Sequence, residues 1–202
     1  MNKLFLLLLL TCGQLVSAQT TIDTTAIRKQ LEVIRDRDQK TRTGSDSAAF
    51  VNYIDSTNLV QIELLIAKYG WLGKNFVGGR GNQTCFLVIQ HADSATQVKY
   101  LQMMQKSVEQ GESAATDFAL LQDRVLMRQG KKQIYGSQVV FDKQGNNIFY
   151  PMEDEKNVNL RRAKVGLQPL EEYAKYFGID YKLPAGDEVF LLLKFKRHKR
   201  IP

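Results

Sequence analysis

Cysteine, histidine and proline are scarce in this chain. Its 202 residues include two Cys, two His and four Pro. Two histidines and two cysteines cannot build the common zinc sites of three His or four Cys. No metal site is therefore expected, and nothing in the sequence calls for a cofactor. The Gly-Lys-Ser/Thr ending of a phosphate loop, the G-x-S-x-G elbow, the S-x-x-K motif and the calcium-loop pattern are all missing, which removes the chemistries that depend on them. With 14 Gly and 44% hydrophobic residues the composition excludes a collagen-like or broadly disordered chain. A domain near this size buries roughly 70% of the surface its unfolded chain exposes, so it folds without a disulfide staple.

The one long apolar run, Leu4 to Thr11, is too short to span a bilayer as a mature helix. It follows the cationic start Met1-Asn2-Lys3 and precedes the small-residue site Val16-Ser17-Ala18. Residues 1–18 therefore read as a secretory signal peptide cut before Gln19, and the product is expected to be periplasmic or secreted. Cys12 offers lipoprotein anchoring as the weaker alternative, because Thr11 stands where Gly, Ala or Ser normally precedes a lipidated Cys. Cleavage leaves Cys85 as the only cysteine, so there is no internal disulfide. Its neighbourhood, Thr84-Cys85-Phe86-Leu87-Val88-Ile89, predicts a buried small hydrophobe.

The formal charge of +7 is local. Lys194, Lys196, Arg197, Lys199 and Arg200 crowd the C-terminal end, and without them and Lys3 the body stands near +1, which is no nucleic-acid footprint. The tail reads as a solvated end, with peripheral contact to an anionic membrane surface as the functional alternative.

Periodicity and punctuation predict a mainly α, single-domain helical bundle over residues 19–188 with one small β-hairpin, followed by an apolar then basic segment at 189–202. Ile27, Leu31 and Ile34 mark a surface helix from Thr25 to about Lys40. A short piece from Ala48 to Ile54 precedes a helix capped by Asn58 with Gln61 at N3, ending at Gly70. Gly70 to Asn82 reads as a glycine loop, with Asn82 capping an all-apolar, central helix to about Gln90. Asp93 or Ser94 opens a helix with Val98, Leu101, Met104 and Val108 inward. Ser113 caps another through Arg128 that is apolar over most of its circumference. Val139–Phe141 and Asn147–Tyr150 flank Lys143-Gln144-Gly145-Asn146 as a hairpin. Two short helices follow, the second with Pro169 at N1. Residues 189–195 fit either a closing strand or a short buried helix.

Few residues can carry chemistry. His91 ends the most buried helix, where the dipole favours an imidazolium, and suits a general base or a donor to an anion. Asp123 and Arg124 interrupt another buried helix, and such groups are almost never fully buried unless paired. His91, Arg161 or Arg162 are the partners open to Asp123. Gln133, Tyr135, Ser137 and Gln138 put amide, phenol and hydroxyl groups around Gly136 on a loop between two rigid elements, a plausible ligand rim. Gly78-Gly79-Arg80-Gly81 is a weaker anion-binding candidate. For each group the bland alternative is an internal brace.

The order Gln90-His91-Ala92-Asp93, Asp123-Arg124-Val125, Gln133-x-Tyr135-Gly136-Ser137-Gln138, Arg161-Arg162 and Val165-Gly166-Leu167-x-Pro169-Leu170-x-x-Tyr173 resembles a bacterial domain family of unknown function. Gly70-Trp71 and Val77-Gly78 fit its upstream part, and the resemblance covers roughly residues 27–173. It implies a shared site without naming its chemistry. The expectation is a polar pocket of His91, Asp123, Tyr135 and Gln138 for a small polar or anionic ligand. If it is catalytic, His91 is the acid/base, Asp123 orients it and Arg161 or Arg162 holds negative charge. The alternative is a non-enzymatic envelope-associated interaction protein with a His91–Asp123 brace.

Overall fold

A computed structural model describes residues 22–184. The expected signal peptide, its expected cleavage site and the segment 189–202 lie outside the described residues. The elements run α1 (Thr25–Thr43), α2 (Ala48–Tyr69), α3 (Lys74–His91), α4 (Ser94–Glu109), α5 (Ala115–Arg128), β1 (Val139–Phe141), β2 (Asn147–Phe149), α6 (Val158–Lys164) and α7 (Leu170–Ala174), with 3-10 turns at Glu155–Asn157 and Lys175–Phe177. The fold is mainly α with a minor β part, as the periodicity predicts.

α3 is the centre of the bundle and packs against α1, α2, α4 and α5. Its second half is apolar on every side, and Cys85, Phe86, Val88 and Ile89 are all buried. α1 contributes Ile27, Leu31 and Ile34, α2 contributes Ile62, Leu65 and Ile66, α4 contributes Tyr100 and Met104, and α5 contributes Leu121. Each such side chain, moved fully out of water, stabilises the fold by about 1.5–3 kcal/mol. Cys85 is among them, and burial pushes its thiol up to about 12.

Three boundaries and one buried face differ from expectation. α2 runs unbroken from Ala48, capped by the Ser47 hydroxyl, so Asn58 is a fully buried interior residue whose amide reaches the Ile34 carbonyl. α3 begins at Lys74, well before Asn82. Gly78, at φ 79°, breaks its axis in a conformation that side chains avoid, and this break absorbed the expected loop. Asn82 therefore sits inside the helix and donates to the Leu72 carbonyl and the Ser113 hydroxyl. Ser113 in turn accepts from Trp71 Nε1 instead of capping α5, which starts at Ala115. In α4 the Asp93 carboxylate caps the helix. The buried face is Gln97, Tyr100, Met104 and Ser107, which turns Val98 outward.

The hairpin pairs Val139 with Phe149, Val140 with Ile148 and Phe141 with Asn147. Asp142 accepts from the backbone N–H groups of Gln144 and Asn146, which fixes the turn. The loop before the hairpin closes over α5 at Leu120, Asp123 and Arg124, and this placement builds the polar layer described next.

Candidate functional site

α1 continues its buried stripe past the apolar residues. Ile27, Leu31 and Ile34 are followed, at the same alternation of four and three, by buried Asp38 and Thr41. The stripe thus carries a carboxylate into the bundle beside the end of α3. Asp38, with a side chain only 1% exposed, places Oδ1 3.0 Å from His91 Nδ1. Arg42, one turn on, brings Nη2 within 2.8 Å of the same ring nitrogen and 3.2 Å of Asp38, and also bonds Asp55 of α2. Residues from α1, α2 and α3 therefore meet at one point. Both close polar contacts of His91 run through Nδ1, Arg42 able only to donate to it and Asp38 only to accept from it, so a given tautomer makes one of them a hydrogen bond; Nε2 has no protein partner among the described residues. The side chain is one-fifth exposed.

Electrostatics favour an ionised Asp38. Burial pushes its carboxyl up, but the hydrogen bond and charge of His91, the Gln39 amide and the Arg42 guanidinium outweigh it and hold it below the usual range. Burial likewise opposes the Arg42 charge, and its bonds and charges to Asp55 and Asp38 more than restore it. A neutral imidazole nitrogen either donates or accepts, not both. Donation from Nδ1–H to the Asp38 carboxylate makes Nε2 the basic nitrogen. Asp38, Asp55 and His91 also offer one metal-ligand atom each within 4.8 Å of one another. The Arg42 Nη2 lies within hydrogen-bond reach of all three, so a cation of the chain itself occupies the middle of that set.

Asp123 does not orient His91. Its fully buried carboxylate accepts from the backbone N–H groups of Ile134 (2.7 Å), Tyr135 (3.1 Å) and Ser137 (3.0 Å). Those donors saturate both oxygens, which is why Asp38 rather than Asp123 serves the histidine. The rest of the loop is tied down in the same way. The Gln133 amide exchanges hydrogen bonds with the Gln138 backbone and reaches the Tyr150 carbonyl. Arg161 donates to the Ile134 carbonyl, and Arg162 to those of Tyr135 and Gln168. Arg162 also stacks over the Tyr173 ring at 4.9 Å, and the Tyr173 hydroxyl bonds the Ser137 carbonyl. Gly136 is at φ 69°, and a Cβ there would stand 2.6 Å from Met152 Sδ, so only glycine fits the bend.

Arg124 joins the two layers. Nε donates to Gln138 Oε1 at 3.1 Å, and Nη1 donates to the Gln90 carbonyl at 3.0 Å, next to His91. Arg128 reaches the Ala92 carbonyl on the other side of the histidine. Burial lowers the Arg124 pKa, and the nearby Arg128 and Arg42 charges add to that. Of the expected residues, Asp123, Gln133, Tyr135, Ser137, Gln138, Arg161 and Arg162 form one connected frame. His91 lies in a separate cluster, linked to the frame through Arg124. The sequence reading missed Asp38, Arg42 and Asp55, although a carboxylate on the α1 stripe was the signal for the first. The glycine stretch at 78–81 borders a different cleft of about 490 Å³, lined by Lys74, Arg80, Asn82, Gln83, Ser113 and Asp117 among others.

The motifs that resemble a bacterial family fall on these two layers, and comparison with family models decides the matter. The chain belongs to a family of unknown function, DUF6624, which matches residues 13–185. No curated protein and no solved structure matches it. The match takes in the His91 cluster, the Asp123 frame and Arg124, and brings no activity with it.

Proposed function

We propose that the protein binds a small polar or anionic ligand beside His91 and acts on it by general acid/base chemistry. The observation that carries this reading is the His91–Asp38 pair. A buried carboxylate holds Nδ1, while Nε2 on a partly exposed ring is left without a protein partner. In that arrangement Nε2 takes a proton from the ligand or from a water, and Asp38 stabilises the imidazolium that forms. Arg42 and Arg124 supply positive charge for an anionic group, and Gln138 orients Arg124. Asp123, Gln133, Arg161 and Arg162 spend their hydrogen bonds on backbone, so they are positioning residues that shape the frame. The signal-peptide reading places this activity outside the cytoplasm, with the basic tail as a peripheral membrane contact.

The bracing alternative gives the opposite outcome in one experiment. A thermal-shift screen of anionic metabolites and cell-wall fragments identifies a ligand, and His91→Asn is then compared with the parent. The expected result is a melting temperature within about 2 °C of the parent, because Asp38 keeps Arg42 and Gln39, together with a lost ligand response. A fall of several degrees with ligand binding intact would mean that His91 is a brace.

A further inference from the structure

α2 is apolar on two faces. Its inner face gives Ile54, Ile62, Leu65 and Ile66 to the core. Its outer face presents Phe50, Tyr53, Val60 and Leu64, which are 46%, 65%, 57% and 66% exposed. With Thr57 and Ala67 these positions recur at alternating steps of three and four residues, the narrow seam of paired helices. Single exposed apolar side chains are ordinary on a protein surface, but a continuous seam is not. Only Asp55, Glu63 and Lys68 are charged among the 22 residues of α2. Depletion of charge marks the centre of interfaces.

We propose that this outer face is a homodimer interface in which α2 packs antiparallel against α2 of a second copy. The seam has the same spacing in both directions, as an isologous two-fold contact requires. Antiparallel pairing sets Phe50 opposite the second copy's Ala67, Tyr53 opposite its Leu64, and Thr57 opposite its Val60. A ring then meets a methyl at each end, and the middle fills with side chains of moderate size. Charge agrees with this direction. Asp46, exposed just before α2, and Lys68, exposed in its last turn, come together at both ends of the contact, and the two helix dipoles oppose one another. Parallel pairing would stack Phe50 on Phe50 and align the dipoles.

A groove runs beside the seam between α2 and α4, about 480 Å³ in volume, lined by Val60, Leu64, Ala67 and Met103 and by the Glu63–Lys99 ion pair with Tyr100. The seam from Phe50 to Ala67 is about 27 Å long and roughly 10 Å wide. That strip alone falls short of the roughly 800 Å² per partner of a standard interface, so the α4 edge joins the contact and the dimer is reversible.

Sedimentation velocity of the processed chain, from about 1 to about 300 μM, tests this, with a dissociation constant expected in the micromolar range. Leu64→Glu should leave a monomer at every concentration, with a melting curve that matches the parent's below the parent's dissociation constant, since Leu64 contributes little to the core. Asp46→Lys should weaken the dimer, and adding Lys68→Asp should restore it. Under mild oxidation Thr57→Cys should cross-link two copies and Phe50→Cys should not, because an antiparallel pair separates the two Phe50 positions by about 25 Å. A parent chain that stays monomeric throughout would overturn the proposal. Equal cross-linking at both cysteines would overturn the antiparallel register and with it the proposal. So would a monomer that binds phosphatidylglycerol vesicles through the same face, with binding lost in Leu64→Glu.

Discussion

Asp123 shows how one buried carboxylate organises a loop. Burial pushes its carboxyl up, and the backbone N–H bonds from Ser137, Ile134 and Tyr135 only partly counter that. Its acceptors face three main-chain donors, so an amide in the same place turns an N–H toward another N–H. Asp123→Asn should therefore cost about 3 kcal/mol, near the upper end for an unsatisfied buried group, and release the 133–138 loop. Hydrogen exchange at Ile134, Tyr135 and Ser137, read beside the melting curve, checks both effects. Unchanged protection at those three amides would contradict the account. Nothing in the sequence around Asp123 announced backbone as its partner. The sequence showed an ionisable group on an apolar helix and required a partner, but backbone donors carry no residue-type signature, so a side chain was expected in their place.

Among the elements, helix type and order were legible because the apolar stripe of α1 repeats at helical period, the apolar stretches of α3 and α5 are long, and glycines punctuate the ends. Apart from the inward face of α4, where Val98 turns outward, the failures were at capping residues. Asn58, Asn82 and Ser113 each have the chemistry of an N-cap, yet each is drawn inside by a tertiary hydrogen bond to a distant element. Asp117 is a related case in the first turn of α5. It is buried, and burial raises its carboxyl to about 6 against the Gln83 hydrogen bond and the Arg35 charge. The folded-state value exceeds the unfolded one, near 3.9. Folding therefore takes up a proton between those values, and stability declines as pH rises through that window and stays lower above about 6. Asp117→Asn should raise the melting temperature at pH 8, by an amount corresponding to roughly 1–2 kcal/mol once the shift is discounted for partial solvent screening and the lost attraction to the helix dipole. The gain should vanish near pH 4. A gain that is equal at both pH values would contradict the assigned cause.

For the whole molecule, the candidate site is a meeting of distant segments, and this decides how much of it a sequence can reveal. His91 and Arg124 were recognisable because each stands against an apolar background on its own helix. Asp38, Arg42 and Asp55 were not, because α1 is polar enough that Asp38 and Arg42 look solvated, and Asp55 opens the Asp55-Ser56-Thr57 run that reads as a helix end. Only the packing of α1 across α3 brings them to the histidine. In the proposed site Asp38 fixes the His91 ring with Nε2 as the free basic nitrogen. The chain has two histidines, so the imidazole nitrogen resonances can be assigned directly. Long-range ¹H–¹⁵N correlation spectra at neutral pH should show neutral His91 protonated at Nδ1, and Asp38→Ala should abolish that preference. A parent protein with His91 protonated at Nε2, and Nδ1 accepting from Arg42, would contradict the claim.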